Sequence, residues 1–124
     1  MWNFCSRIAD AAGRFADRTA IELLHDGRIT ETSYAGLMDG AARAAAWLGG
    51  VGVGAGERVA ILADNEARWI SAYLGTLWIG AVAVPLDTAY TAAQVATVVG
   101  NCQARVLFTS ERLRDVATAA ASVS

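Results

Sequence analysis

The segment that most invites a chemical reading is Gly50-Val51-Gly52-Val53-Gly54-Ala55-Gly56, whose spaced glycines resemble a loop that cradles phosphate. Such a loop must follow a strand and open a helix, so that the helix's first amides face the anion. Here the glycines follow a helical pattern and precede an apolar run, so they read as a helix stop and turn. All ten basic residues are arginine. Without lysine there is no P-loop ammonium, no Schiff base and no lysine general base. The single histidine, His25, sits in a turn segment far in sequence from Cys5 and Cys102, and no metal-ligand spacing links the three. The two thiols read as reduced structural groups. Asp26, Asp39, Asp64, Asp87 and Asp115 are scattered through turns, caps and helix faces, and spacing alone assembles neither a carboxylate pair nor a Ser-His-Asp triad. No catalytic, cofactor-binding or metal-binding residue is therefore assigned. Trp69 and Tyr73 are four apart and share a helical face, whereas Trp78 points elsewhere, and all three read as core aromatics.

The elements that would carry these groups follow from periodicity. Ile8, Ala11, Ala12 and Phe15 fall at helical spacing, predicting a helix that closes before Asp17-Arg18. AIELL and RITETSY flank His25-Asp26-Gly27, a hairpin turned at Asp-Gly. Leu37, Ala41, Ala44, Ala45 and Leu48 mark the apolar face of a helix over 34–48, stopped by Gly49 and Gly50. Arg58 to Ala63 is a short strand ending at Asp64-Asn65, two residues suited to cap a helix over 66–79. Residues 81–84 form a second strand ending at Pro85. Thr91-Ala92-Ala93-Gln94 is a capping-box pattern for a helix to about Gly100. Residues 105–109 form a third strand and 111–121 a last helix, after which the Ala-rich tail fades out. The alternation predicts an α/β fold: an N-terminal helix and β-hairpin, then a three-stranded parallel βαβαβ unit. Three strands are few for a parallel sheet covered on both faces, so the chain reads as a partial doubly wound domain over 1–124 with no second domain.

Composition narrows the classes. In 124 residues, 10 basic against 12 acidic side chains give a net charge of -2, which supplies no footprint for nucleic acid or an anionic membrane. Trp69 to Leu86 is charge-free for 18 residues, the lower limit of a membrane helix. Gly75, Thr76, Gly80 and Pro85 punctuate that run, and AVAVPL is β-branched, so it reads as helix, turn and strand, with no transmembrane span. The N-terminus carries Arg7, Asp10, Arg14, Asp17 and Arg18 without an unbroken apolar stretch; it is not a signal peptide, and a cytoplasmic location is expected. An apolar share of 55% beside 18% charged residues leaves few charges to cover a small domain, so self-association is also expected.

Taken together, GVGAGERVAILADNEARWISAYLGTLWIGAVAVPLDTAYTAAQVATVVGNCQARVLFTSE resembles the N-terminal segment of AMP-forming adenylating enzymes, the superfamily of acyl-CoA synthetases, adenylation domains and luciferases. The likeness starts at Phe15-Ala16-Asp17-Arg18-Thr19-Ala20, passes Ser33-Tyr34-Ala35-Gly36-Leu37 and covers nearly the whole chain. Its most specific parts are Gly56-Glu57-Arg58-Val59-Ala60-Ile61 with Asn65, and Gly80-Ala81-Val82-Ala83-Val84-Pro85-Leu86. Glu57 departs mildly from the family's usual Gly-Asp. Glu66, Trp69 and Asp87 to Thr91 are most similar to fatty-acyl-CoA synthetases.

The resemblance implies activation of a carboxylic acid, here a fatty acid, by ATP to an acyl-adenylate and then transfer to coenzyme A. Positive charge and Mg²⁺ stabilise the phosphoryl transition state in such chemistry. It also implies that the phosphate loop, nucleotide motifs, hinge and catalytic lysine lie downstream, so the chain by itself holds no ATP, Mg²⁺ or coenzyme A and is inactive. Its partner would be the remainder of the synthetase. Three residues carry over structurally: Asn65 to cap the first crossover helix, Gly80 to permit the turn into the second strand, and Pro85 to end that strand. The alternative from another class is a stand-alone, non-catalytic α/β binding or interaction module.

Overall fold

The computed structural model describes residues 4–123. Met1 to Asn3 of the charged N-terminus and Ser124 of the Ala-rich tail lie outside the described residues. The elements are α1 (Phe4–Arg14), β1 (Thr19–His25), β2 (Arg28–Ser33), α2 (Tyr34–Gly50), β3 (Arg58–Leu62), α3 (Ala67–Trp78), β4 (Val82–Pro85), α4 (Ala92–Cys102), β5 (Val106–Thr109) and α5 (Arg114–Val123). β1 and β2 form an antiparallel hairpin; β4, β3 and β5 form a parallel sheet in that order, with β3 central.

The hairpin turns where Asp-Gly predicts. Asp26 and Gly27 both have positive φ, 51° and 74°, as a two-residue turn matching the strand twist requires. His25 is the last residue of β1, paired with Arg28, so it belongs to the ladder rather than the turn. α2 continues through both glycines to Gly50, two residues past the expected stop. The stop comes from the following residues: Val53 N–H returns to Leu48 O (2.9 Å), and Gly52 adopts φ +87°.

Both faces of β3 are covered, which is why its last four residues are all apolar and buried. Val59 faces Leu48 of α2, with Val106 and Phe108 beside it. Ala60 and Leu62 face the other way, into a core with Val95 of α4 and Leu113, Ala117 and Ala120 of α5. A third cluster joins Cys5 of α1, Leu37 and Ala41 of α2, and Leu74 of α3 beneath the hairpin residues Ala20 and Ile21. Burial there pushes the Cys5 thiol up, and its Sγ–H points at Leu74 O (3.6 Å), a structural use of sulfur.

Gly75 and Thr76 do not interrupt the charge-free run; they lie inside α3. A Cβ at Gly75 would sit 2.7 Å from Ala44 Cβ and 2.8 Å from Ala41 O, so the glycine lets α2 and α3 touch backbone to backbone. Thr76 is wholly buried, and its hydroxyl donates to Ala72 O at 2.7 Å within the same helix. The run then turns at Gly80 and becomes β4. Among the described residues no helix is long and apolar enough to cross a membrane.

Asn65 does not cap α3. The N-cap is Glu66, whose carbonyl accepts from Trp69 N–H (3.0 Å) and Ile70 N–H (3.3 Å), and no side chain caps the helix. The helix starts one residue later than the Asp-Asn pair implies because Asp64 is drawn off toward β5. Thr91 and Gln94, by contrast, make both arms of the capping box at α4, at 3.2 and 2.8 Å. The last helix opens with a 3₁₀ turn, Glu111–Leu113, and α5 runs on to Val123, so the Ala-rich tail is helical rather than fading. Trp78 is no core aromatic: it is 51% exposed.

Candidate functional site

In an open parallel sheet the strand carboxyl ends are where loops and helix N-termini converge, and ligand crevices form there. An open cleft of about 400 Å³ lies at the carboxyl ends of β3 and β4, lined by Ala63, Asp64, Asn65, Trp69, Pro85, Leu86, Asp87 and Thr88. The β3 side supplies Ala63 to Asn65 as the chain leaves the sheet for α3. The β4 side supplies Pro85 to Thr88, anchored by Leu86 N–H on Ile61 O (2.9 Å). Asp87 folds its own loop, its Oδ1 accepting from Ala89 N–H (2.9 Å) while its carbonyl accepts from Tyr90 N–H (3.0 Å). Trp69 stacks on Tyr73 with ring centroids 5.3 Å apart and planes 12° from parallel, which fixes the indole that walls the cleft.

The crevice between β3 and β5, where the sheet changes winding direction, is closed by charge. Arg112 spans it bidentately, Nη2 to Asp64 Oδ1 at 2.6 Å and Nε to Oδ2 at 3.1 Å, and Ser110 Oγ donates to Asp64 Oδ2 at 3.4 Å. The Arg112 guanidinium holds the Asp64 carboxyl below the usual carboxylate range and is itself raised by the pairing. A matching latch sits at the amino ends. Glu57 accepts from Gly54 N–H at 2.8 Å and from Arg105 Nη1 at 2.7 Å, the first contact being the main cause of its lowered pKa.

Of the three residues singled out by family likeness, Asn65 and Pro85 meet in this cleft. Gly80 lies at the opposite edge, where φ +78° carries the chain from α3 into β4 and its carbonyl accepts from Gly56 N–H at 2.9 Å. The glycine run is likewise at the amino edge, away from the cleft, with Gly56 at φ +80°. Sequence reasoning missed Asp64, Trp69, Asp87 and Thr88 as neighbours in one cleft. Their common signal is position, immediately after a parallel strand or one turn into the following helix.

The cleft as it stands does not suit a bare polyphosphate group. Its side walls are the carboxylates Asp64 and Asp87, the wrong sign for a polyphosphate, and Arg112 beside it is committed to Asp64. No group of three or more His, Cys, Asp or Glu among the described residues could hold a metal ion. The arrangement offers an aromatic wall, an exposed Asn65 and two carboxylates, the groups of a partial recognition surface.

The comparisons with known proteins agree with this partial character. A long-chain-fatty-acid–CoA ligase from Thermus thermophilus is 31% identical over 107 residues, which are 86% of this chain and 19% of that protein. A crotonobetaine/carnitine–CoA ligase from Salmonella paratyphi B is 32% identical over 102 residues, 82% of this chain and 20% of its own. The crystal structure of a benzoate CoA ligase from Burkholderia xenovorans superposes on all of this chain with a TM-score of 0.90 at 27% identity, using 24% of its length. The chain thus spans about a fifth of the length of the curated relatives it matches. The AMP-binding enzyme profile matches residues 8–124, and the chain belongs to that family.

Proposed function

We propose that residues 1–124 form the first part of the large N-terminal domain of an AMP-forming acyl-CoA ligase. The whole enzyme would activate a carboxylic acid, a fatty acid on the likeness around Asp87 to Thr91, through an acyl-adenylate to its coenzyme A thioester. It would draw ATP, Mg²⁺ and coenzyme A to residues beyond this segment and work in the cytoplasm. The observation that carries this reading is the superposition of the entire chain, hairpin included, on one quarter of a benzoate CoA ligase. A lysine-free chain with an acidic cleft supports a scaffolding share in the reaction rather than a catalytic one.

The test is a replacement. This chain is substituted for the matching quarter of the Burkholderia xenovorans ligase, and acid-dependent exchange of pyrophosphate into ATP is measured. The chimera is expected to exchange with benzoate while the isolated chain stays at the no-enzyme level. Exchange by the isolated chain, lost in Asn65→Ala or Pro85→Ala, would relocate the active centre to this cleft and overturn the reading.

A further inference from the structure

Side chains of β1 and β2 alternate between the two faces of the hairpin, and directly opposed residues share a face. Ile21 packs into the core beneath the hairpin, so Leu23, two positions on, faces the same way while Glu22 and Leu24 face out. Across the ladder Glu31 stands opposite Glu22, and Ile29 opposite Leu24. The outward face therefore ends, next to the turn, in a pair of large aliphatic side chains. At 72% and 62% exposure, Leu24 and Ile29 are the most exposed large apolar residues among those described. All of residues 24–31 are exposed, so the tip stands clear of every core cluster.

The open face of a half-covered antiparallel pair is ordinarily polar. Here the polar groups frame an apolar pair instead. His25 and Arg28 oppose each other on the inward face at the last rung, with His25 Nε2 3.2 Å from Asp26 Oδ2. Glu22 and Glu31 lie further back on the outward face, about 7 Å behind Leu24 and Ile29. The tight turn at Asp26 and Gly27, both with positive φ, fixes the two strands against each other, so the pair is presented already ordered.

Size and charge say what covers such a patch. Against a second copy, Leu24 and Ile29 with their mates would bury only a fraction of the roughly 1,200 Å² that a specific, stable interface needs, and four carboxylates would crowd the contact. A lipid surface sets no such threshold, because each apolar side chain that enters the acyl boundary contributes by itself. Elements of this kind immerse by about 5–10 Å, a depth that takes in the aliphatic pair and leaves Glu22 and Glu31 at the water side. Asp26 and Arg28 give the tip both signs of charge, as a zwitterionic headgroup layer has. The arginine stem can lie along the acyl boundary while its guanidinium meets a phosphate. With a net charge of -2, the chain gains nothing from an anionic surface.

We propose that the β1–β2 tip docks this chain on a zwitterionic lipid surface, with Leu24 and Ile29 immersed at the acyl boundary and Arg28 on a headgroup phosphate. Such docking is independent of the ligase activity proposed above. Two aliphatic side chains make it weak and reversible, enough to hold the chain at a surface and too little to anchor it.

The test is flotation with vesicles of phosphatidylcholine alone, using the whole chain at a concentration where it sediments as a monomer. The chain should float with the vesicles equally at low and high salt, because an immersed apolar contact is not screened. Leu24→Ser and Ile29→Ser, at exposed positions that leave the fold intact, should each lower the partition coefficient about tenfold. Trp47→Ser and Trp78→Ser should leave it unchanged, although both indoles are half exposed. The chimera with the benzoate ligase should float as the chain does. Flotation lost through the tryptophans and kept by the hairpin variants would overturn the proposal, as would flotation abolished by high salt or a chain that stays below the vesicles. A dimer that Leu24→Ser disperses would assign the patch to a second copy instead. A chimera that stays below while the chain floats would assign it to the remainder of a ligase. Pyrophosphate exchange by the chimera is read apart from all of these, so the proposed function stands or falls separately.

Discussion

Arg112 and Asp64 lie 48 positions apart, yet their two-pronged contact decides how the carboxyl edge is closed. Because the guanidinium lowers the Asp64 pKa below its unfolded value, the carboxylate form is favoured in the folded chain. The stabilisation is present above the ordinary carboxylate pKa, about 4, and is lost as pH falls through the lowered folded value. Arg112→Ala is therefore expected to be less stable than the parent at neutral pH, with the two urea-unfolding curves converging below about pH 4. The difference should be small and shrink in high salt, because both side chains are open to solvent. Glu57 also has a lowered pKa, but its partners Gly54 and Arg105 are untouched by the substitution, so its share cancels in the comparison. Curves that stay parallel down to pH 3 would show that the pair does not set the acid limb.

Caps separate the helices more sharply than composition does. α3 and α4 both follow strands, and both are preceded by a residue type suited to capping. At α4, Thr91 and Gln94 satisfy each other's backbone donors; at α3 the N-cap is Glu66 with no side-chain bond, and Asn65 is one position too early. Thr91→Ala should accordingly cost about 1 kcal/mol of unfolding free energy. Asn65→Ala should fall within about 0.5 kcal/mol of the parent, as a surface change that removes no cap. Chemical denaturation of both variants checks the pair. The reverse ranking would mean that Asn65 caps α3 in solution. What holds α3 in place is its close crossing with α2 at Gly75 and its buried Leu74, rather than its first turn.

At the scale of the molecule, apolar surface outruns what the described helices and the two small sheets enclose. Leu24 at 72% exposure and Ile29 at 62% stand opposite each other at the hairpin tip, and Trp47, Trp78 and Val82 are each about half exposed. With 55% apolar and 18% charged residues, little charge remains to keep copies apart. The isolated chain is expected to self-associate at tens of micromolar and to bind a hydrophobic reporter dye, and Val106→Pro to lessen both by blunting the β5 edge. Sedimentation velocity with dye titration decides the matter: a monodisperse, dye-negative monomer would count for a self-sufficient module.

Local chemistry made much of this architecture legible before any coordinates. Asp26-Gly27 carries positive φ cheaply, Thr91 with Gln94 writes its cap in four residues, and the apolar runs of β3, β4 and β5 are too short and too buried in pattern to be helices. The glycine run could be rejected as a phosphate loop from element order alone. Other features depend on residues distant in sequence, and only tertiary structure decided them. Gly75 looks like a break until Ala41 and Ala44 of α2 come against it; then a helix-weakening residue becomes the condition for close packing. Asp64 looks like a cap until Arg112 captures it across the sheet. Asn65, Trp69, Pro85 and Asp87 become one cleft only because β3 and β4 are neighbours in register, and strand order is set by crossover geometry, which leaves no local mark in the sequence.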